Sequence, residues 1–183
     1  VLFLRYQTPL YEVKATILIK DDKKGGGLSE LSAFEDLGLL KSAKNLDNEI
    51  EILKSRALMT LVAKELRLNV QYFVDEKPIA REQFDSPPVY LVAKAGEGSL
   101  SNVRETIVIV PKNNTECSVT GLVSGQKLNC KFGDDIAFPF GKISILATRD
   151  LQALNLIGKD IKIVITPIEA IVEAYRRKIK IDP

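Results

Sequence analysis

The sequence predicts an α+β fold, a mixed sheet packed by a long amphipathic helix, with additional short strands. Three observations carry this. One stretch, from about Asn45 to Arg67, repeats its apolar residues at helical spacing. An earlier stretch, Tyr11 to Lys20, alternates with period two. Everything from Val70 onward breaks into short β-rich runs separated by turn residues.

In the helix, Ile50, Leu53, Ala57, Leu61 and Lys64 mark one stripe, widened by Leu46, Leu58, Val62 and Leu66. Spacings of three and four place these residues on one face. Asp47 or Asn48 is placed to cap the start, and Glu49 and Glu51 suit its positive end. Without Gly or Pro inside it, the helix is expected to run about 30 Å. In the first strand, Tyr11, Val13, Ala15, Ile17 and Ile19 share a face, opposite Glu12, Lys14, Thr16 and Lys20, with Leu18 the exception. That pattern predicts a sheet with one wet side. Between the two lie a charged, glycine-rich loop, Asp21 to Gly27, and a short helix over Leu28 to Leu40.

The strands expected further on are Val70 to Asp75, Val89 to Ala93, Thr106 to Val110 and Glu116 to Thr120. Lys127 to Phe132, Lys142 to Ala147 and Ile161 to Thr166 complete the set. Asn113-Asn114, Ser124-Gly125 and Gly133-Asp134 supply turns between them, and Pro87-Pro88 is a hard break. Thr166-Pro167-Ile168-Glu169 reads as a helix start, with Thr166 as cap and Pro167 in the first helical position. Lys178 to Asp182 alternates again, as a last strand would. Pairing Tyr11–Lys20 with Ile161–Thr166 would close the domain and bring both ends to one side.

The 183 residues suffice for one domain with a proper core. Residues 1–183 are read as a single domain, with 70–160 its strand-rich part. The chain starts at Val1 rather than Met, as a piece or a processed product does. Residues 1–4 are apolar and are followed by Arg5 and Tyr6, which suits the end of a membrane helix and equally the start of a strand. No stretch of about 20 apolar residues is present.

Lys and Arg total 26 against 24 Asp and Glu, a net charge of +2, which is no footprint for a nucleic-acid partner. Histidine is absent, which removes the commonest general base and metal ligand. Serine–histidine chemistry is thereby excluded. Lys23-Lys24-Gly25-Gly26-Gly27 has the wrong order for a phosphate loop. Glu35/Asp36, Glu49/Glu51 and Asp134/Asp135 are carboxylate pairs; helix geometry points Glu49 and Glu51 in different directions, a turn accounts for Asp134-Asp135, and a glycosidase pair brought together only by the fold stays open. The expectation is therefore no catalytic residue, no cofactor and no metal. Asn113-Asn114-Thr115 matches a glycosylation acceptor and reads better as a polar turn.

Two cysteines, Cys117 and Cys130, remain. A hairpin turning around Val123-Ser124 sets them face to face. At a non-hydrogen-bonded pair they would be close enough for a disulfide. A slip of one residue would turn them to opposite faces and leave two unrelated thiols.

Three stretches carry a family resemblance. The first is Pro9-Leu10-Tyr11-Glu12-Val13-Lys14-Ala15-Thr16-Ile17-Leu18-Ile19 after an apolar tail. The second is Asn48-Glu49-Ile50-Glu51-Ile52-Leu53-Lys54-Ser55-Arg56. The third combines Phe138-Pro139-Phe140-Gly141 with Thr166-Pro167-Ile168-Glu169 and Tyr175. Together they resemble the Wzz-type chain-length-determinant domain of polysaccharide co-polymerases, including the members linked to a bacterial tyrosine kinase. The resemblance touches most of the chain, and its first two motifs are the more specific. It implies the periplasmic side of the inner membrane and two flanking membrane helices. It also implies assembly with copies of itself to set the length, or assist the export, of O-antigen, capsule or exopolysaccharide. The partners it implies are a polysaccharide polymerase or an outer-membrane export channel, and the polysaccharide itself. A kinase would belong to a parent protein, since this chain has no kinase motif. The alternative is a glycan-binding or adaptor module, for which Tyr72, Phe73, Tyr90, Phe138 and Phe140 are the candidate aromatics.

Overall fold

A computed structural model describes residues 12–17, 47–74 and 80–181. Besides a helical stretch over residues 47–53, its helices are α1 (Arg56–Glu65), α2 (Arg149–Ala153) and α3 (Ile168–Arg176). The strands are β1 (Val70–Val74), β2 (Arg81–Glu82), β3 (Val89–Ala93), β4 (Glu105–Pro111) and β5 (Glu116–Gly121). They continue with β6 (Lys127–Lys131), β7 (Asp135–Phe138), β8 (Gly141–Ala147) and β9 (Ile161–Ile165). A turn of 3-10 helix covers Glu97–Leu100. The α+β class holds.

Two sheets form. One runs β2-β1-β9-β4-β5-β6 and the other β3-β8-β7. Alternation builds their shared core. Along β4, Ile107 and Ile109 are fully buried while Thr106, Val108 and Val110 are not. Along β9, Ile161, Ile163 and Ile165 do the same. The register sets Ile107 opposite Ile163 and Ile109 opposite Ile161. Across the core the second sheet contributes Val89, Leu91, Ile136, Phe138, Ile143 and Ile145. Each such side chain contributes about 1.5–3 kcal/mol by leaving water.

Several expectations are corrected. The sheet is not mixed: every pairing among the described strands is antiparallel. Tight turns at residues 112–115, 122–126 and 139–140 join neighbours, and a tight turn can only join antiparallel strands. Among the described residues 12–17, none pairs with Ile161–Ile165. Both edges of β9 are already filled, by β1 and β4. Residues 12–17 have no regular structure, with Val13 and Ile17 exposed. Tyr11 and residues 18–20 lie outside the described residues, as do residues 1–4, the glycine-rich loop, the Leu28–Leu40 helix and Glu35/Asp36.

The long helix is two helices. Residues 47–53 are helical, Lys54 turns, and Ser55 starts afresh with extended backbone. The Ser55 hydroxyl accepts the Leu58 N–H at 3.2 Å, so a serine in mid-pattern acts as an N-cap. At the far end, Arg67 has φ 51. Its N–H donates to Lys64 O, and the Leu68 N–H reaches back to Ala63 O. These are the paired bonds of a left-handed C-terminal stop, a place that usually takes glycine. Helix α1 packs on α3, not on the sheets. Met59 and Ala63 bury against Ile168, Ile171 and Val172 in a small second core, with Leu68 beside them.

α3 also starts differently from expectation. Pro167, not Thr166, occupies the cap position, and no side chain caps it. The Ile168 N–H instead donates to Ser101 O at 2.8 Å, while Thr166 N–H serves the sheet through Asn69 O. Lys178 to Asp182 forms no strand as far as it is described. The Lys178 and Ile179 N–H groups bond back to Tyr175 O in a turn that ends α3. No helix among the described residues is long and apolar enough to cross a membrane.

Candidate functional site

Two places gather chemistry-bearing residues. The first is a groove of about 310 Å³ where the helix pair meets the sheets. Its floor is Tyr72 of β1, whose hydroxyl accepts the Leu91 N–H of β3 at 3.1 Å and so ties one sheet to the other. Burial pushes the Tyr72 phenol above its ordinary value, against the Leu91 bond and the nearby Arg67 charge. Tyr90 stands edge-on to Tyr72, with ring centres 6.1 Å apart. Tyr90 and Phe84 present exposed rings to the groove, at 41% and 61% exposure. Arg67 and Glu97 form an ion pair on the rim, and Gln71 Nε2 donates to Glu82 Oε1 at 3.0 Å.

Of the five aromatics singled out from the sequence, only Tyr72 and Tyr90 meet here. Phe73 lies half-buried on β1, with Glu82 and Lys162 as its strand neighbours. Phe138 and Phe140 stack on each other at 5.1 Å and belong to the sheet core. Phe84, Arg67 and Glu97 were missed. Phe84 follows a two-residue strand that no periodicity marks, and the ion pair joins residues thirty positions apart.

The second place is the β5–β6 hairpin. Cys117 faces Cys130 in the register, as the turn around Val123-Ser124 predicted. The type of position differs. Gly121 N–H bonds Gln126 O, and Phe132 N–H bonds Thr115 O. Cys117–Cys130 shares the parity of those two pairs, so it is a hydrogen-bonded pair, not a non-hydrogen-bonded one. The sulfurs stand 3.6 Å apart as free thiols. Burial is the main cause that raises both thiols, Cys117 to about 12.

The carboxylates have local tasks. Asp134 accepts the Lys131 N–H at 3.0 Å, closing the turn between β6 and β7. Asp135 pairs with Lys94 at 2.9 Å. Glu49 and Glu51 are exposed on the 47–53 helical stretch. Asn113 Oδ1 accepts from Thr115 N, Thr115 Oγ1 and Glu116 N, each at 2.8 Å, which is the polar turn expected there. Among the described residues no group of three or more His, Cys, Asp or Glu is placed to hold a metal.

One buried carboxylate escaped sequence reading. Glu105, 2% exposed, sits on the core face of β4. It accepts Thr106 N at 2.8 Å, Val123 N at 2.8 Å and Ser124 N at 3.0 Å. Burial pushes its carboxyl up, but these bonds outweigh burial and hold it below the ordinary value. Gly121 is required alongside: a Cβ there would stand 2.3 Å from Ser124 Oγ and 2.8 Å from the Phe138 ring. Glu105 is thus the internal anchor of the 122–126 turn, and through it of the register that brings the cysteines together.

No protein-family model matches the chain, and no curated protein matches it.

Proposed function

We propose that this chain is the periplasmic domain of an inner-membrane polysaccharide co-polymerase. In this reading it regulates the chain length or export of O-antigen, capsule or exopolysaccharide by assembling with copies of itself. It does so without bond chemistry of its own, and any tyrosine kinase belongs to a parent protein. One structural observation supports the reading beyond the sequence motifs. The start of α1 and the end of α3 lie side by side: Arg176 Nε of α3 donates to Lys54 O at 3.1 Å, and Arg56 pairs with Glu173 at 3.5 Å. That arrangement suits a domain looped out between two neighbouring membrane helices. The expected strand pairing does not supply it; the α1–α3 contact does.

Deleting the gene in its host and running the surface polysaccharide on a gel tests the proposal. A shifted length distribution, or polymer retained in the cell, is expected. Normal length together with normal export would overturn it.

A second reading, a glycan-binding or adaptor module, is favoured by one feature. Tyr90 and Phe84 are exposed aromatics lining a groove that also holds amide and charged groups, the mixture that sugar rings use. Titrating the purified chain with the host's polysaccharide tests this. Saturable binding that is lost in Tyr90→Ala supports it, and no binding by the wild type removes it.

A further inference from the structure

The cysteine hairpin has a use that the polysaccharide reading does not require. A hydrogen-bonded antiparallel pair holds its Cα atoms about 5.5 Å apart, inside the range of about 4.4–6.8 Å that a disulfide spans. The register places Cys117 and Cys130 at such a pair, and their side chains already point at each other with the sulfurs 3.6 Å apart. Rotation about the two side-chain bonds, without slipping the strands, brings the sulfurs to bonding distance.

The two thiols are not equivalent. Cys117 lies on β5, inside the sheet, and is fully buried. Cys130 lies on β6, the outermost strand, and is partly exposed. We propose that Cys117 and Cys130 are a disulfide-forming pair in which Cys130 is the entry thiol and Cys117 the resolving thiol. The oxidant is an external disulfide, either a small molecule such as oxidised glutathione or a thiol–disulfide oxidase.

Cys130 gives up its proton, and its thiolate attacks one sulfur of the external disulfide. A mixed disulfide forms on Cys130, and the other external sulfur leaves and takes up a proton. Cys117 then gives up its proton and attacks Cys130 Sγ. The cross-strand bond forms, and the second external thiol departs. Two protein thiols lose two electrons in all, and one external disulfide becomes two thiols. Burial holds Cys117 protonated at ordinary pH, so it reacts only with a sulfur already bonded beside it. The product fastens the edge strand β6 to β5.

The test incubates the full chain with oxidised glutathione, quenches with acid, alkylates remaining thiols and weighs the intact protein. The wild type is expected to take no alkyl group and to be lighter by two hydrogens. Peptide mapping of early samples should find the transient glutathione adduct on Cys130. Cys117→Ser should stop at one glutathione on Cys130, and folded Cys130→Ser should stay unmodified at least ten times longer. Two alkylatable wild-type thiols after prolonged exposure would overturn the pairing. An early wild-type adduct on Cys117 would overturn the order, and needs no variant to fold.

Discussion

The paired sheets and the paired helices are held together on different scales. The sheets share one core in which Ile107, Ile109, Ile161, Ile163 and Val119 are wholly excluded from water. The helix pair buries little more than Met59, Ala63, Ile168, Ile171 and Val172, and leaves Leu61 and Leu66 more than half exposed. Buried apolar surface sets local stability, so the helical end should open well before the sheets do. Native-state hydrogen exchange measures the contrast directly: amides of β4 and β9 are expected to exchange only with global unfolding, and those of α1 earlier.

The largest effect should come from the sheet centre. Ile163 is fully buried on β9, between Tyr72 of β1 and Ile107 of β4. Ile163→Ala removes methyl groups where strands on both sides prevent collapse, so a loss of about 4 kcal/mol is expected. Urea unfolding should show a lower midpoint at unchanged slope. A loss under about 1 kcal/mol would mean the sheets are not the firmer half.

The second effect comes from Glu105. Glu105→Gln keeps one acceptor oxygen but turns an amide N–H₂ toward a backbone donor, at a cost of about 2 kcal/mol. The effect should depend on pH. The folded carboxyl holds its proton less tightly than the unfolded one, whose ordinary value is 4.5. Its contribution is therefore complete above that value and is lost as pH falls through the lower folded value. Urea midpoints should separate wild type from variant at pH 7 and converge as the pH is lowered below 4.5.

These two residues mark how far the sequence could be read. Ile163 was legible because alternation with Lys162 and Val164 is a signal carried in five adjacent residues. Seven strands were found in this way, and the facing cysteines followed from one turn. Glu105 was invisible: two of its three partners lie eighteen and nineteen residues ahead, and no local pattern separates a buried carboxylate from the solvated kind. β2 and β7 were missed because two to four residues are too few to show a period. The groove was half legible. Tyr72 and Tyr90 were named for their chemistry, but Phe84 and the Arg67–Glu97 pair arrive only through packing.

The third effect belongs to the helix pair. The helical pattern ran through Ser55 without a visible break, because a serine is neutral inside a helix and favourable at its start. The sign of Ser55→Ala separates the two situations. In one continuous helix, alanine would be neutral or slightly stabilising. At an N-cap it removes the acceptor for Leu58 N–H and costs about 1 kcal/mol. The loss is expected, and it should speed exchange in α1 while leaving β4 and β9 unchanged.

The smallest effect tests the other end of the same helix, where two small terms oppose each other. Arg67 adopts φ 51, which glycine takes without strain, so Arg67→Gly should gain about 0.5–1 kcal/mol from the backbone. It also removes the ion pair with Glu97, whose side chains are 60% and 56% exposed, so water screens most of its worth. The net expectation is a gain of about 0.5 kcal/mol, read as a slightly higher urea midpoint. Repeating the substitution in a Glu97→Gln background isolates the backbone term, and the gain should then be larger. A net loss in both backgrounds would show that the arginine stem packs on α1 or the groove strongly enough to outweigh the strain. The helical end would then be firmer than its small core implies.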